Sequence, residues 1–408
     1  MAYTPPVTVT GATDSTIGLA QAAYDRMARF ALRPELYFDN VADIKPTNQS
    51  MPGSSVTFPI VSDLPIASTP INESVDVTPQ SVSESNVVVT LAEYGNAVLT
   101  TAKLRGESYV EIDPIIANVI GYNAGVSMDE VARDVLKAGT NVSYSGLATS
   151  RATVAATDVL KAADIRKAKA RLRSQNVPNF NGFYTAYIHP NVAYDFTSET
   201  GSAAWREPHT YSQPGEIWAG ELGAFEGFRF IETPRSPVFN NDGSGSNSTV
   251  VTVSVTSGST TATYTNTTGI DQVGVGDTIT GTSITGTVTV VAVSGPSLSG
   301  STYTWTLTLS AAATATSTSQ AGASIAVGAA NVFATICVGR QALAKAWSMV
   351  DGNTEQPHVV PGPITDYLRR FVPWGWYWLG GYGRYREAAI QRIESGTSLA
   401  YTDPGIDQ

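Results

Sequence analysis

The 408-residue sequence predicts an α+β body that carries an inserted all-β domain, on three observations. Helix-period and strand-period segments are mixed along the body. Basic charge vanishes from one long stretch: no lysine or arginine lies between Arg235 and Arg340, and residues 241–329 hold only Asp242, Asp271 and Asp277 as charges. That same stretch is a series of β-branched and aromatic runs separated by Gly, Ser, Asn or Asp, the composition of short strands joined by turns.

The elements follow in order. Residues 1–13 have no periodicity; Ser15 then caps a helix over 16–32, ended by Pro34, with Ile17, Leu19, Ala23, Met27 and Phe30 on one apolar stripe. Residues 53–60 lead outward as a strand, and 86–91 with 95–100 lead back. The connection 62–85 has four acidic residues and no basic one, which suits a solvated loop. Such a long hairpin is marginally stable alone, so it is expected to find a partner surface. A long helix is predicted over Asp113–Ala138, with Pro114 in its first turn and apolar residues recurring at three and four. A second is predicted over Asp158–Ser174, capped by Thr157, with Leu160, Ala163, Ala168 and Leu172 inward.

Strands are expected at 182–188, 227–233 and 330–338, a short helical piece at Ala342–Trp347, and a closing run through 376–379 to 385–394. Within the uncharged stretch the strand runs are 250–255, 261–264, 278–280, 288–293, 303–309 and 324–327, a small antiparallel sandwich or barrel. Residues 240–247 read as a flexible leading linker and 311–323 as a loop.

Composition bounds function. With 35 acidic and 25 basic side chains the formal charge is -10, which repels nucleic acid and anionic lipid at long range. Contact with nucleic acid therefore needs a local basic patch. The predicted second helix offers one in Lys161, Arg166, Lys167, Lys169, Arg171 and Arg173, facing either DNA or a neighbouring subunit. Glu73, Asp76 and Glu84 form an acidic loop available to neighbours. Residues 1–20 lack a secretory signal, and the aromatic run 371–382 is too short and broken to cross a bilayer, so a soluble intracellular product with no membrane partner is expected. Cys337, the single cysteine, lies in an apolar run as a small hydrophobe.

No catalytic, cofactor or metal site is predicted. His189 has Asp195 and Ser198 nearby, but no nucleophile-elbow sequence accompanies them, and a strand end entering a helix at Pro190 explains it. His189, His209 and His358 are far apart, and one cysteine makes no thiolate cluster. Asn241-Asp242-Gly243 lacks the further ligands of a calcium loop, and Gly380-Gly381-Tyr382-Gly383 lacks the Lys-Ser/Thr ending of a phosphate loop.

Taken in order, Tyr24-Asp25-Arg26 with Leu32-Arg33-Pro34, the pair 53–58 and 91–98, Tyr187-Ile188-His189-Pro190, the run 223–233 and the glycine-rich closing segment resemble a tailed-phage major capsid protein of the HK97-type fold, closest to the N4-like family. The resemblance covers most of 14–238 and resumes at 330–395. It implies an N-terminal arm (1–50), an extended loop reaching over the adjacent subunit (51–102), a spine helix and peripheral domain (103–181), an axial domain in two parts (182–240 and 330–370) and a closing peripheral strand with the tail (371–408). The inserted β domain (241–329) departs from the minimal pattern and resembles Thr/Val-rich domains scattered among phage structural proteins.

The function implied is self-assembly through pentamers and hexamers into an icosahedral virion shell around double-stranded DNA. Scaffold, portal and decoration proteins are the further partners, and assembly takes place in the host cytoplasm. Some members of the family crosslink a lysine to an asparagine of another subunit. Residues 59–102 contain no lysine and Lys103 falls at the base of the loop, so non-covalent cohesion is expected. The alternative is a tail or filament structural protein whose residues 241–329 bind glycans.

Overall fold

The computed structural model describes residues 37–47, 55–61, most of 64–108, 112–199, 221–239, 249–327 except 268 and 270, 330–348, 355–361 and 370–401. The helix expected at 16–32 and the linker at 240–247 lie outside the described residues. Along the chain run β1 (Ala42–Thr47), β2 (Ser55–Val61), β3 (Glu84–Thr90), β4 (Ala92–Thr101), α1 (Ala102–Glu107), α2 (Ile112–Lys137), β5 (Val142–Tyr144), α3 (Ala162–Ser174), β6 (Tyr184–Ile188), α4 (Pro190–Ser198), β7 (Glu221–Phe225), β8 (Phe228–Glu232) and β9 (Val238–Phe239). Then follow β10 (Thr249–Thr252), β11 (Ser254–Val255), β12 (Thr261–Asn266), β13 (Thr278–Thr280), β14 (Val288–Ser299), β15 (Thr302–Leu309) and β16 (Ser324–Val327). The chain closes with β17 (Val332–Val338), β18 (Leu343–Ser348), β19 (His358–Pro361), β20 (Phe371–Arg384) and β21 (Ile390–Ser395). Among the described residues no helix is long and apolar enough to cross a membrane.

The chain divides into two units. In the first, which includes Ala42–Val131 and Leu343–Tyr385, β20 is the organising strand. It pairs antiparallel with β4 from Phe371↔Thr101 to Gly380↔Ala92, with β19, and through its far end with β18. Asn123 of α2 ties that helix to the sheet: its side-chain oxygen accepts the indole N–H of Trp376 at 2.8 Å and an amide N–H of Asn96 at 3.4 Å. Residues 95–100, expected to return along the hairpin, therefore belong to this sheet, and only β3 pairs with β2.

β18 also corrects the helical piece expected at Ala342–Trp347. Its alanines favour a helix in isolation, but the segment lies between β1 and β20 with every strand residue buried. Burial and pairing on both edges override local propensity. Lys345 in its centre lies 5.6 Å from the ring centroid of Tyr382 and 4.0 Å from a carboxylate oxygen of Glu355.

The second unit contains a sheet in the order β5-β21-β17-β6-β8-β7, with β9 also paired to β17. All seven residues of β17 are buried, which accounts for an apolar sequence interrupted only by Thr335. On α3, Ile165, Ala168 and Leu172 face inward. This helix starts at Ala162, not at Asp158 as the sequence predicts. Asp158 is engaged in a turn, accepting the Ala155 amide at 3.0 Å, and Val159 bridges to Gly396, so residues 158–161 are extended. The Asp164 carboxylate then accepts the Lys161 amide at 3.3 Å at the new helix start.

Residues 249–327, also in the second unit, form their own sheet in the order β10-β16-β13-β14-β15-β12-β11. Only Val253 separates β10 from β11, so the two ends of this path are one stretch of chain and the sheet closes on itself as a small barrel. Alternation fills its interior: Trp305, Leu307 and Leu309 of β15 point in, and Thr306 and Thr308 point out. Trp305 stacks on Tyr264 at 5.0 Å between centroids and 9° between planes.

Candidate assembly surfaces

The β2–β3 hairpin is fixed at one end and bare at the other. Near its base Val56, Phe58 and Val89 join Ala344 and Ala346 in a buried cluster. Glycines permit that approach: a Cβ on Gly381 would sit 2.2 Å from the Thr90 carbonyl oxygen, and one on Gly383 would sit 2.8 Å from Val89. Beyond the base the apolar residues lose cover. Val61 and Leu64 are exposed, and Ile66 retains 92% of its accessible surface. Glu73, Asp76 and Glu84 on the same excursion are exposed as well.

The basic face of α3 exists as a surface. Lys161, Arg166, Lys167, Arg171 and Arg173 are exposed and Lys169 is half-buried. Glu226, in the tight turn between β7 and β8, takes part of the charge, with Arg166 at 2.9 Å and Lys169 at 3.8 Å. Arg171 donates to the Val142 carbonyl at 3.5 Å. Burial raises the pKa of Asp164, partly offset by the Lys161 amide and Lys167.

A third constellation, which sequence reasoning missed, holds the barrel against the sheet of the second unit. Arg151 stands in a single helical turn, Arg151–Thr153. Its Nε donates to Glu394 Oε2 at 3.0 Å and its Nη2 to Glu394 Oε1 at 2.8 Å. Its Nη1 donates to the Val273 carbonyl of the barrel at 2.9 Å and lies 3.4 Å from Asp271. The guanidinium also lies 3.6 Å from the ring centroid of Phe239, at the end of β9. Arg392 adds a second cation 2.9 Å from Glu394.

Other groups seat the same barrel loop. Tyr144 donates its hydroxyl to the Val275 carbonyl, and Asp277 accepts the Ala152 amide at 3.1 Å and the Gly274 amide at 2.7 Å. Burial alone would raise the Glu394 pKa, but Arg151 and Arg392 outweigh it and hold the carboxyl below its ordinary value. The only sequence signal was the isolation of Asp271 and Asp277, the sole charges of residues 249–327.

His189 caps α4, its Nδ1 accepting the Asn191 amide at 3.2 Å, and lies against Phe333 and Tyr401. Burial depresses its pKa to about 4. Asp195 accepts hydrogen bonds from Thr397 and Ser398, each at 2.8 Å. Among the described residues no group of three or more His, Cys, Asp and Glu side chains is arranged to hold a metal ion.

The sequence profile of a family described as phage capsid protein matches residues 35–406. The chain belongs to this family. No curated protein sequence matches the capsid protein. Its fold is similar to the capsid of Ralstonia phage GP4, with a TM-score of 0.59 and 12% identity over 98% of this chain and 99% of that one. The capsid of cyanophage P-SCSP1u gives a TM-score of 0.54 and 12% identity over 98% and 100%. The head of Helicobacter pylori bacteriophage KHP40 gives 0.50 and 10% over 87% of each chain. The capsid protein thus has the HK97-type fold. It is a structural protein of the virion, not an enzyme, and many copies of it make the capsid.

Proposed function

We propose that the capsid protein is the major subunit of an icosahedral shell that encloses double-stranded DNA and is assembled in the host cytoplasm. The observation that carries this reading is the β2–β3 hairpin, anchored through Val56, Phe58 and Val89 while Val61, Leu64 and Ile66 stand exposed on the same excursion. Exposed apolar side chains in such a series mark an interaction surface. On this reading residues 51–102 lap the adjacent subunit and residues 1–50 act as an arm. Residues 103–181 and 371–408 form the edge of each tile, while 182–240 and 330–370 gather around the five- and sixfold axes. Residues 241–329 face outward as a module open to a decoration protein.

The basic face of α3 supplies ion pairs to the acidic residues Glu73, Asp76 and Glu84 of a neighbour. Each exposed pair contributes only about 0.2–1 kcal/mol, so repetition around a closed shell is what makes them count. DNA contact is non-specific and limited by the overall negative charge. Scaffold and portal proteins complete the set of partners.

Electron microscopy of the purified protein, coexpressed with its neighbouring genes, tests the reading. Closed shells are the expected outcome. A folded chain that yields only monomers or helical fibres under these conditions refutes it.

A further inference from the structure

We propose that the bare tip of the β2–β3 excursion seats in a groove on a second copy of the chain, lined by Val154, Ala155, Ala156, Ala330, Leu399 and Tyr401. This rests on the lapping role proposed above and names its receiving site.

The groove has a volume of about 510 Å³ and lies within the second unit. It gathers three chain segments: the turn after Arg151–Thr153, the approach to β17 and the stretch after β21. Five of its lining residues are alanines, and Leu399 is 40% exposed. None of the residues lining it carries a charge at neutral pH. Alanines at 155, 156 and 400 leave room that a larger lining would fill.

The tip matches on both counts. Residues 64–72 contain no ionisable side chain, in a chain with 60 charged residues. Leu64 and Ile66 have exposed aliphatic side chains of the size that such a recess takes. Burying a charge there without a partner would be costly, so a neutral recess selects a neutral guest. Asp63 and Glu73 bound this neutral stretch on its two sides, so the groove takes residues from 64–72 and leaves both carboxylates outside it.

Two cysteines test the contact. Cys337 is the only native cysteine and is buried, so it does not compete for reagent. The paired variant Ile66→Cys with Ala155→Cys is assembled as full chain and treated with a short bismaleimide. A ladder of linked chains on denaturing gels, absent from either single variant, is expected. Particles of normal appearance with no ladder, or a crosslink confined to one chain, overturn the seat while leaving the shell intact.

Failure of the unmodified protein to form shells overturns the lapping reading and the seat with it. A second readout needs no crosslink: Ile66→Glu and Ala155→Glu should each raise the concentration needed for assembly about tenfold or more, from opposite sides of one contact. Assembly of both at the native concentration also refutes the seat.

Discussion

Arg151 and Glu394 meet through two parallel hydrogen bonds of 3.0 and 2.8 Å, although 243 positions separate them in the chain. Both side chains are almost wholly buried, at 1% and 0% exposure. Without Arg151, Glu394 keeps only Arg392 and the buried Asp271 loses its cation, and breaking a buried pair in this way costs about 3–5 kcal/mol. Arg151→Met should therefore destabilise the protein by that amount in urea unfolding. Because Arg151 also holds the Val273 carbonyl and Asp271, protease cleavage near the ends of the barrel should quicken before the rest of the chain opens.

His189 gives a pH dependence of defined sign. Burial holds its folded pKa down at about 4, and the unfolded chain takes up the proton near 6.5. Between those values the unfolded state binds more protons, so stability is full above about 6.5 and falls as the pH drops toward 4. The loss approaches about 3 kcal/mol. His189→Asn keeps a capping side chain for α4 and should flatten this part of the curve relative to the native protein, measured by chemical denaturation at successive pH values.

Trp305 fills the barrel and stacks on Tyr264. Trp305→Ala should cost about 3–5 kcal/mol. Loss of amide-exchange protection in residues 249–327, with β6 and β17 still protected, is the expected signature.

Gly381 supports the hairpin base. A Cβ there would meet the Thr90 carbonyl at 2.2 Å, and backbone cannot yield as a flexible side chain does. Gly381→Ala should destabilise the protein by about 2 kcal/mol or more, read from thermal unfolding.

The α3 face makes a prediction about assembly. Reversing Lys167, Arg171 and Arg173 to glutamate should slow shell formation with little effect on folding, since all three are exposed. Reversing Glu73, Asp76 and Glu84 to lysine in the same chain should restore it. Light scattering during assembly follows both, and a defect that the second set leaves untouched argues against the ion-pair role.

Local pattern makes much of this architecture readable in the sequence. The run Thr302–Leu309 alternates so cleanly that its inward Trp305, Leu307 and Leu309 follow from period two alone, and α2 follows from spacings of three and four. What sequence hid depends on distant partners. Ala344 and Ala346 become strand residues only because β1 and β20 flank them, and the ladder joining Ala92–Thr101 to β20 leaves no mark in either segment. Asp158 looks like a helix start until Ala155 and Gly396 claim it. The two charged surfaces were legible because exposed helices and loops advertise their composition. Arg151 was not, because nothing in Thr149-Ser150-Arg151-Ala152 distinguishes it from a solvated arginine.

The junction at Phe239 and Val332 has an evolutionary meaning. These two residues pair directly, and on the barrel side Thr249 pairs with Val327, so both crossings of the junction are side by side. Seen from the β9–β17 ladder, everything between is one loop, and a single recombination event could remove it or exchange it without disturbing a strand. Arg151 and Tyr144 are exceptions, for the guanidinium would then keep Glu394 and Phe239 but lose the Val273 carbonyl and Asp271, and the Tyr144 hydroxyl would lose the Val275 carbonyl. Loss of the module therefore exposes two positions, 144 and 151, whose side chains reach across to it.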